Sequence, residues 1–327
     1  MSTLRRGSSG EEERHGHARW RCGACFDTSP RGSTDGSPES LAAAHWAARE
    51  AVRRGTALRL VHAWKWRPRP TASVPADMPQ RACAEETPSR VSDTVRAGHS
   101  DLLIIDDLLE DTPVTALLAA ARQTDLIALG SRGISGAAGF LTGSVSQRVV
   151  ARSMRTVVLV WAGRSGTDEH LCAMDGISQE EIPETPYRDV VLGLDTGQPC
   201  DEQIEFAFDA ARRRAAPLRV IHAFGGPSAY AAADRLTPVD GPQLLAEQER
   251  SVVGTLRPWC EKFPEVAVTE TVAKGRAAGL LIRASADAGL VVVGRRMREA
   301  RFGTHIGSVA HAVLHHAPSP VAVGPHV

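Results

Sequence analysis

The second half of the chain alternates short apolar runs with longer amphipathic stretches. The run at 190–194 is apolar throughout, which is typical of a strand buried on both faces of a sheet. Between 201 and 214, apolar side chains recur every three or four residues, and this spacing predicts a helix with one buried face. This order predicts an α/β fold with a mainly parallel sheet and helices on both faces. We predict strands at 190–194, 218–223, 267–272, 290–293 and 321–323, and helices at 201–214, 243–263, 277–286 and 307–316.

The same pattern occurs in the first half of the chain. A helical stretch at 41–54 precedes an apolar run at 58–63, and both recur 160 residues later. This near-constant spacing predicts a tandem duplication of a unit of about 140–150 residues, each with a five-stranded sheet. The matching pairs are Asp35 with Asp195 and His62 with His222, each 160 residues apart, and Gly130 with Gly294 and Gly143 with Gly307, each 164 residues apart.

The first repeat departs from the second in two places. Five prolines between 66 and 88 predict a shortened or broken second helix. Residues 27–34, just before Asp35, contain no apolar run, so the first strand of this repeat is predicted to be missing. We therefore divide the chain into a disordered, non-homologous N-terminal segment (1–34), a first domain (35–161), a linker (162–187) rich in Gly, Ser, Asp, Glu and Pro, and a second domain (188–327).

The charge balance excludes several classes of partner. Lys and Arg total 38, as do Asp and Glu, so the chain lacks the positive excess that nucleic acids or anionic membranes require. No run reaches the ~18 apolar residues of a membrane span, and residues 1–17 lack the apolar core of a signal peptide. We therefore expect a cytoplasmic protein that binds neither nucleic acid nor membrane, with free thiols at its six cysteines.

A glycine-rich loop is the strongest candidate for ligand binding. It runs from Gly130 to Ser144, after a predicted strand and before a predicted helix. Ligands of open parallel sheets bind in such loops. Glycines let the backbone approach a ligand closely, and the free N–H groups of a helix N-terminus attract an anion. The loop matches neither the Walker A motif nor G-x-G-x-x-G, so a different nucleotide signature has to be considered.

Within this loop, Gly130-x2-Gly133-x9-Gly143-Ser144 resembles the G-2x-G-9x-G-[S/T] signature of ATP-binding universal stress proteins. The stretch at 306–317 is similar to the second domain of tandem actinobacterial members, and the resemblance covers 35–161 and 188–327. It implies two Rossmann-like domains of the adenine-nucleotide alpha hydrolase-like type. It also implies ATP, with or without Mg²⁺, as the ligand, and a regulatory role in the stress response.

The resemblance also implies which residues contact the nucleotide. The aspartate after the first strand and a residue at the end of the second strand would contact adenosine, and the glycine loop would hold ribose and phosphates. The implied residues are Asp35, Val61 (or His62), Gly130, Arg132, Gly133, Gly143, Ser144 and Val145 in the first repeat, and Asp195, Ile221 (or His222), Gly294, Gly307, Ser308 and Val309 in the second. Because Met297 replaces the second glycine of the second loop, the first repeat is the favoured site.

The two repeats are expected to form an intramolecular pseudo-dimer. Family members pair through their final strands, here 157–161 and 321–323, and two chains could also form a homodimer. We see no positioned base or nucleophile and no G-x-S-x-G elbow, so we expect no catalysis. Two alternatives stay open: an interaction or scaffold protein with degenerate sites, and a slow ATPase.

A zinc site in the N-terminal segment is a minor alternative. Cys22 and Cys25, with His15 and His17, provide the ligand types that zinc prefers. The loops between them would be very tight, so chance composition is the favoured interpretation.

Three other groups of polar residues favour a structural interpretation. None has the spacing of a known catalytic or metal motif. The groups are the pair His311 and His315 on one predicted helix face, the strand-end residues His62 and His222, and the acidic residues Asp106, Asp107, Glu110 and Asp111, which predict a solvated face.

Overall fold

The computed structural model describes residues 22–27, 37–64, 91–131, 143–171, 185–225, 241–296 and 306–326. The strands are β1 (Cys22–Asp27), β2 (Leu58–Trp64), β3 (Ile104–Glu110), β4 (Leu126–Ser131), β5 (Thr156–Trp161), β6 (Asp189–Leu194), β7 (Leu218–Phe224), β8 (Val268–Lys274), β9 (Ala288–Arg296) and β10 (Val321–His326). The helices are α1 (Pro38–Arg54), α2 (residues 91–98), α3 (Pro113–Ala121), α4 (Ser144–Arg152), α5 (Asp201–Arg214), α6 (Gly241–Lys262), α7 (Ala277–Ala284) and α8 (Ser308–His316).

All ten of these strands lie in one continuous sheet. Their order is β3-β2-β1-β4-β5-β10-β9-β6-β7-β8, so each repeat contributes five neighbouring strands. The pair β5 and β10 joins the repeats in antiparallel orientation, with Val158 opposite Ala322. The other neighbouring pairs in the described part are parallel. The predicted α/β fold and the predicted meeting of the final strands are therefore confirmed.

The prediction that the first repeat lacks its first strand is wrong. Strand β1 lies between β2 and β4 and pairs in parallel with both. The prediction places this strand directly before Asp35. The connection from β1 to α1 is longer than that, because it spans 28–37, whereas the equivalent connection from β6 to α5 in the second repeat spans only 195–200. A central position between two strands supplies hydrogen-bond partners on both sides and overrides the weak strand propensity of a short, Gly- and Ala-containing segment. Residues 22–27 thus belong to the repeat and not to a foreign segment.

Two hydrophobic layers enclose the sheet. Helices α1, α2, α5 and α6 pack on one face around residues such as Trp46 and Phe208. Helices α3, α4, α7 and α8 pack on the other face, around Val149 and Val313 among others. The prolines between 66 and 88 lie outside the described residues, and helix α2 is described over 91–98. Helices on both faces explain why the strands next to the β5–β10 pair are apolar on both sides.

A cluster of buried ion pairs joins the repeats on the α1 and α5 face. We call it the arginine–carboxylate cluster; its members are Glu50, Glu169, Asp209, Arg49, Arg53, Arg54, Arg212, Arg213 and Arg214. The Glu50 carboxylate, 1% exposed, accepts hydrogen bonds from Arg54 (2.6 Å) and from Arg214 of the second repeat (2.7 Å). Burial opposes the charged form of Glu50, but Arg214, Arg54 and Arg53 outweigh it and hold its pKa well below the usual range. The cluster therefore stays ionised inside the fold.

Part of the predicted linker belongs to this interface. A 3₁₀ turn, Gly166–Glu169, places the Glu169 carboxylate against Arg49 (2.8 Å) and Arg53 of helix α1. Tyr187, at the far end of the linker, lies beneath the Arg53 guanidinium, 5.0 Å from it. Residues 172–184 lie outside the described residues. The ends of the linker are therefore docked on the first repeat.

The residues that end helices α1 and α5 provide a matched test of backbone strain. Gly55 and Ala215 occupy equivalent left-handed positions, with φ of 62° and 47°. A Cβ in this conformation costs about 1 kcal/mol, so we expect Ala215→Gly to raise the free energy of unfolding by about 1 kcal/mol and Gly55→Ala to lower it similarly. Chemical denaturation of both variants checks this; a less stable Ala215→Gly protein would contradict it.

Candidate nucleotide-binding site

The candidate site lies at the point in each half of the sheet where the order of the strands reverses. Strand β1 leads through α1 to β2 on one side, and β4 lies on its other side. The carboxyl ends of β1 and β4 therefore flank a crevice, and ligands of open parallel sheets bind in such crevices. The second repeat forms the same crevice between β6 and β9.

The register of the strands changes the assignment of the first-repeat aspartate. Phe26 pairs with His62 in the first repeat, and Leu194 pairs with His222 in the second. The following residue in each repeat is an aspartate, so Asp27 is the counterpart of Asp195. By this register the counterpart of Asp195 is not Asp35, which comes eight residues after the end of β1. Asp35 lies outside the described residues, so its contact with a nucleotide stays a prediction.

The sequence itself contains a signal for the correspondence of Asp27 with Asp195. Asp27-Thr28 matches Asp195-Thr196, while the Asp-Gly-Ser-Pro run at 35–38 belongs to the entry into helix α1. In the second repeat, Asp195 is exposed and its Oδ1 accepts a hydrogen bond from the Gly197 N–H (3.1 Å), which forms a tight turn at the strand end. This turn fixes the carboxylate at the mouth of the second crevice.

The predicted residues at the ends of β2 and β7 face the protein interior. Val61 and Ile221 are buried in the hydrophobic layer with α3, α4 and α7, so only their backbone groups could contact a ligand. The Nδ1 atom of His222 lies 3.0 Å from the carbonyl oxygen of Leu194. Burial lowers the pKa of His62 to about 4, partly opposed by Asp106. The structural interpretation of the two histidines therefore agrees with their burial.

Helices α4 and α8 begin at the two predicted phosphate-binding ends. Their N-cap residues are Gly143 and Gly307, which provide no side-chain acceptor for the free N–H groups of the first turn; α5 and α7 likewise have no hydrogen bond from an N-cap side chain. Helices α1 and α3 differ, because the Ser37 and Thr112 hydroxyls accept hydrogen bonds from their first turns. Uncapped helix N-termini keep donors and a positive dipole end available for an anion. Ser144 and Ser308 are exposed at these ends, and Val145 and Val309 anchor the helices against the core.

The first glycine of each loop is in close contact with a helix of its own repeat. A Cβ on Gly130 would lie 2.5 Å from the Glu39 carbonyl carbon and 2.9 Å from the Ser40 nitrogen, both backbone atoms of α1. A Cβ on Gly294 would instead meet the amide group of the Gln203 side chain. Gln203 also donates to the Gly193 carbonyl oxygen (2.9 Å). Both glycines therefore allow close helix–strand packing, independently of any ligand.

The middle of each loop lies outside the described residues. This applies to Arg132 and Gly133 of the first repeat and to Met297 of the second. Their assignment stays a prediction from the sequence.

The described residues contain no group of three side chains of the types that bind metals. His15 and His17 lie outside them, and Cys22 and Cys25 lie in β1, within the central sheet. The His311 and His315 rings lie 4.4 Å apart, and His315 Nε2 is 3.1 Å from the Gln147 amide nitrogen of α4. His315 therefore contacts the first repeat.

The acidic group predicted to follow a strand lies within β3 and just after it. Asp106 accepts from Arg96 (2.6 Å) and Ser92, and Asp107 pairs with Arg59. Glu110 and Asp111 are exposed, as expected for a solvated face. The other two acidic residues, Asp106 and Asp107, form ion pairs with arginines.

A groove of about 580 Å³ opens between the repeats, at the amino ends of β4 and β5 and near the carboxyl end of β10. Leu126 and Thr156, at the amino ends of β4 and β5, line it together with Phe206 and Asp209 of α5. Its lining does not include the described candidate residues Gly143, Ser144, Asp195, Gly307 or Ser308, so this groove is distinct from the candidate nucleotide site. No helix in the described part of the chain is long and apolar enough to span a membrane.

Comparison with known proteins agrees with this architecture. The universal stress protein family model matches residues 33–160 and 186–325, and its first match begins downstream of β1. The universal stress protein Rv2005c of Mycobacterium tuberculosis is 32% identical over 298 residues, which cover 88% of this chain and 94% of the relative. Rv1996 of the same organism is 30% identical over 316 residues, 88% of this chain and 92% of that protein.

A solved structure supports the fold over both repeats. The crystal structure of a universal stress protein from Archaeoglobus fulgidus superposes with a TM-score of 0.60 at 18% identity. It covers 93% of this chain and 98% of its own. The chain therefore belongs to the universal stress protein family, whose members are stress-response proteins, and it carries two copies of the family domain.

Proposed function

We propose that this protein binds one adenine nucleotide, ATP, in its first repeat and acts as a cytoplasmic regulator of the stress response without catalysing a reaction. The observation that carries the proposal is the uncapped N-terminus of α4 at Gly143, directly after a loop with the complete glycine signature. The free N–H groups of the first turn and the Ser144 hydroxyl are suited to a phosphate.

The corrected position of the aspartate strengthens the first repeat as the binding site. Asp27 is the last residue of β1, a central strand that is paired on both sides, and its register matches that of Asp195. The carboxyl end of β1, where Asp27 lies, and the N-terminus of α4 therefore belong to the same proposed site. Mg²⁺ would enter with the ATP phosphates, because the described residues offer no three-ligand cluster of their own.

The second repeat has the weaker set of groups. Its loop has Met297 where the first repeat has Gly133, and the Cβ and longer side chain restrict a tight turn. The Gln203 side chain also packs against Gly294. We therefore propose a stoichiometry of one nucleotide per chain.

The two serines that begin α4 and α8 provide a matched test of this proposal. A carboxylate at the first position of a helix favours the helix but repels a phosphate. We expect Ser144→Asp to weaken ATP binding by at least about tenfold, and Ser308→Asp to leave it unchanged. Isothermal titration of the full-length variants measures affinity and stoichiometry, and mass spectrometry of the denatured wild type identifies any nucleotide carried through purification.

Each alternative has its own signature in this experiment. Loss of binding in Ser308→Asp alone would place the nucleotide in the second repeat. Absence of bound nucleotide together with no titration signal would favour the interaction protein with degenerate sites. Phosphate release that survives repurification and disappears in Ser144→Asp would favour the slow ATPase.

A further inference from the structure

Arg295 belongs to the second repeat but contacts the first. It directly follows Gly294, the first glycine of the second loop, and its side chain is buried, with only 2% exposed. Its guanidinium crosses the interface and donates to the carbonyl oxygens of Ala151 (2.7 Å) and Ser153 (2.6 Å). These two carbonyls end helix α4. A cation of the second repeat therefore caps a helix of the first.

The capped helix is the one that begins at the proposed phosphate site. Helix α4 is nine residues long and runs from Ser144, beside Gly143, to Arg152. The last carbonyls of a helix lack partners within the helix and carry its negative dipole end. Because Arg295 is bidentate and excluded from water, it holds this end firmly in place. The opposite end is thereby fixed relative to the crevice.

The C-terminal end of helix α8 is capped differently: Arg164, whose side chain is 27% exposed, donates to the Pro318 carbonyl oxygen. Ser131 occupies the position of Arg295 in the first repeat. The carbonyls after helix α8, on Ala317 and Ser319, instead accept from the neutral indole N–H of Trp161 (2.8 and 3.2 Å). Helices α4 and α8 thus differ in the burial of the arginine at their C-terminal ends: Arg295 is 2% exposed and donates to two carbonyls of the repeat with the complete glycine signature, whereas Arg164 is more exposed.

We propose that Arg295 is a positioning residue for nucleotide binding in the first repeat. It fixes α4 so that its free N–H groups face the phosphates, and its buried positive charge adds to the attraction for an anion. The second repeat thereby supports the site of the first. This inference rests on the proposed function.

The test uses the full-length protein with Arg295→Met and Arg295→Lys. Arg257→Met, which removes an arginine that is 77% exposed on α6, is the matched control. We expect Arg295→Met to weaken ATP binding about threefold to tenfold and to speed amide hydrogen exchange across 144–152. Arg295→Lys keeps the charge but loses the bidentate geometry, so it should fall in between. Arg257→Met should match the wild type in both measurements.

A purely structural role would give a different result. If Arg295→Met lowers the melting temperature but leaves ATP affinity and the exchange of α4 unchanged, the inference is overturned. If Arg295→Met does not fold, the ATP affinity and the amide exchange of α4 are compared between Arg295→Lys and the wild type instead. If the wild type binds no ATP, the proposed function fails, and the exchange of α4 alone decides whether Arg295 holds this helix.

Discussion

We expect Gly130→Ala to destabilise the protein far more than Gly294→Ala, although the two glycines are equivalent in the two repeats. The added methyl group on Gly130 meets backbone atoms of Glu39 and Ser40, which can move only if α1 moves. On Gly294 it meets the end of the Gln203 side chain, which can rotate away. We expect a loss of about 3 kcal/mol in the free energy of unfolding for Gly130→Ala and about 1 kcal/mol or less for Gly294→Ala.

Chemical denaturation of the two variants measures this difference. Gly307→Ala is the control, because no atom of the described residues lies within 4 Å of the position of its Cβ. It should stay close to the wild type. Equal losses for Gly130→Ala and Gly294→Ala would show that α1 can shift without cost and would contradict the prediction.

Replacing Glu50 with glutamine should be the most damaging single change at the interface between the repeats. The variant keeps the shape of the side chain but removes the negative charge that balances Arg214, Arg54 and Arg53. Removing one partner of a buried ion pair costs about 3–5 kcal/mol, because the remaining charge is left uncompensated. Glu261→Gln, which breaks an exposed pair with Arg257, should cost no more than about 0.5 kcal/mol.

The cluster also predicts how stability depends on pH. Burial opposes the ionised forms of Glu50, Glu169 and Asp209, but the neighbouring arginines and their hydrogen bonds outweigh it, so all three pKa values are lowered in the fold. Their contribution to stability is present above the ordinary values of 4.5 and 3.8, and it is lost as the pH falls toward the lowered values.

We therefore expect the free energy of unfolding to decrease as the pH falls below about 4.5. Glu50→Gln should show a shallower decrease, because one of the three carboxylates no longer takes up a proton on unfolding. Denaturant titrations between pH 3 and 7 measure both slopes. An identical slope in the wild type and the variant would mean that Glu50 does not contribute through its charge.

The meeting of the final strands was implied only by the resemblance to the family, whereas the sequence by itself determined the α/β class and the duplication. These features depend on local apolar patterns and on matching residues at constant spacing, and both are read along the chain. The same is true of Gly143-Ser144 and Gly307-Ser308 at the helix starts, because a glycine loop before an amphipathic stretch predicts a helix N-terminus without further information.

Only the tertiary structure decided the first strand and the contacts between the repeats. Strand β1 is weak by local pattern and is held by its neighbours β2 and β4, so Asp27, and not Asp35, is in register with Asp195. Arg295 and Ala151 lie far apart in the chain, and no period or motif relates them. Such pairings depend on how elements stack in space, because burial and charge compensation are properties of the assembled interface and not of any local segment.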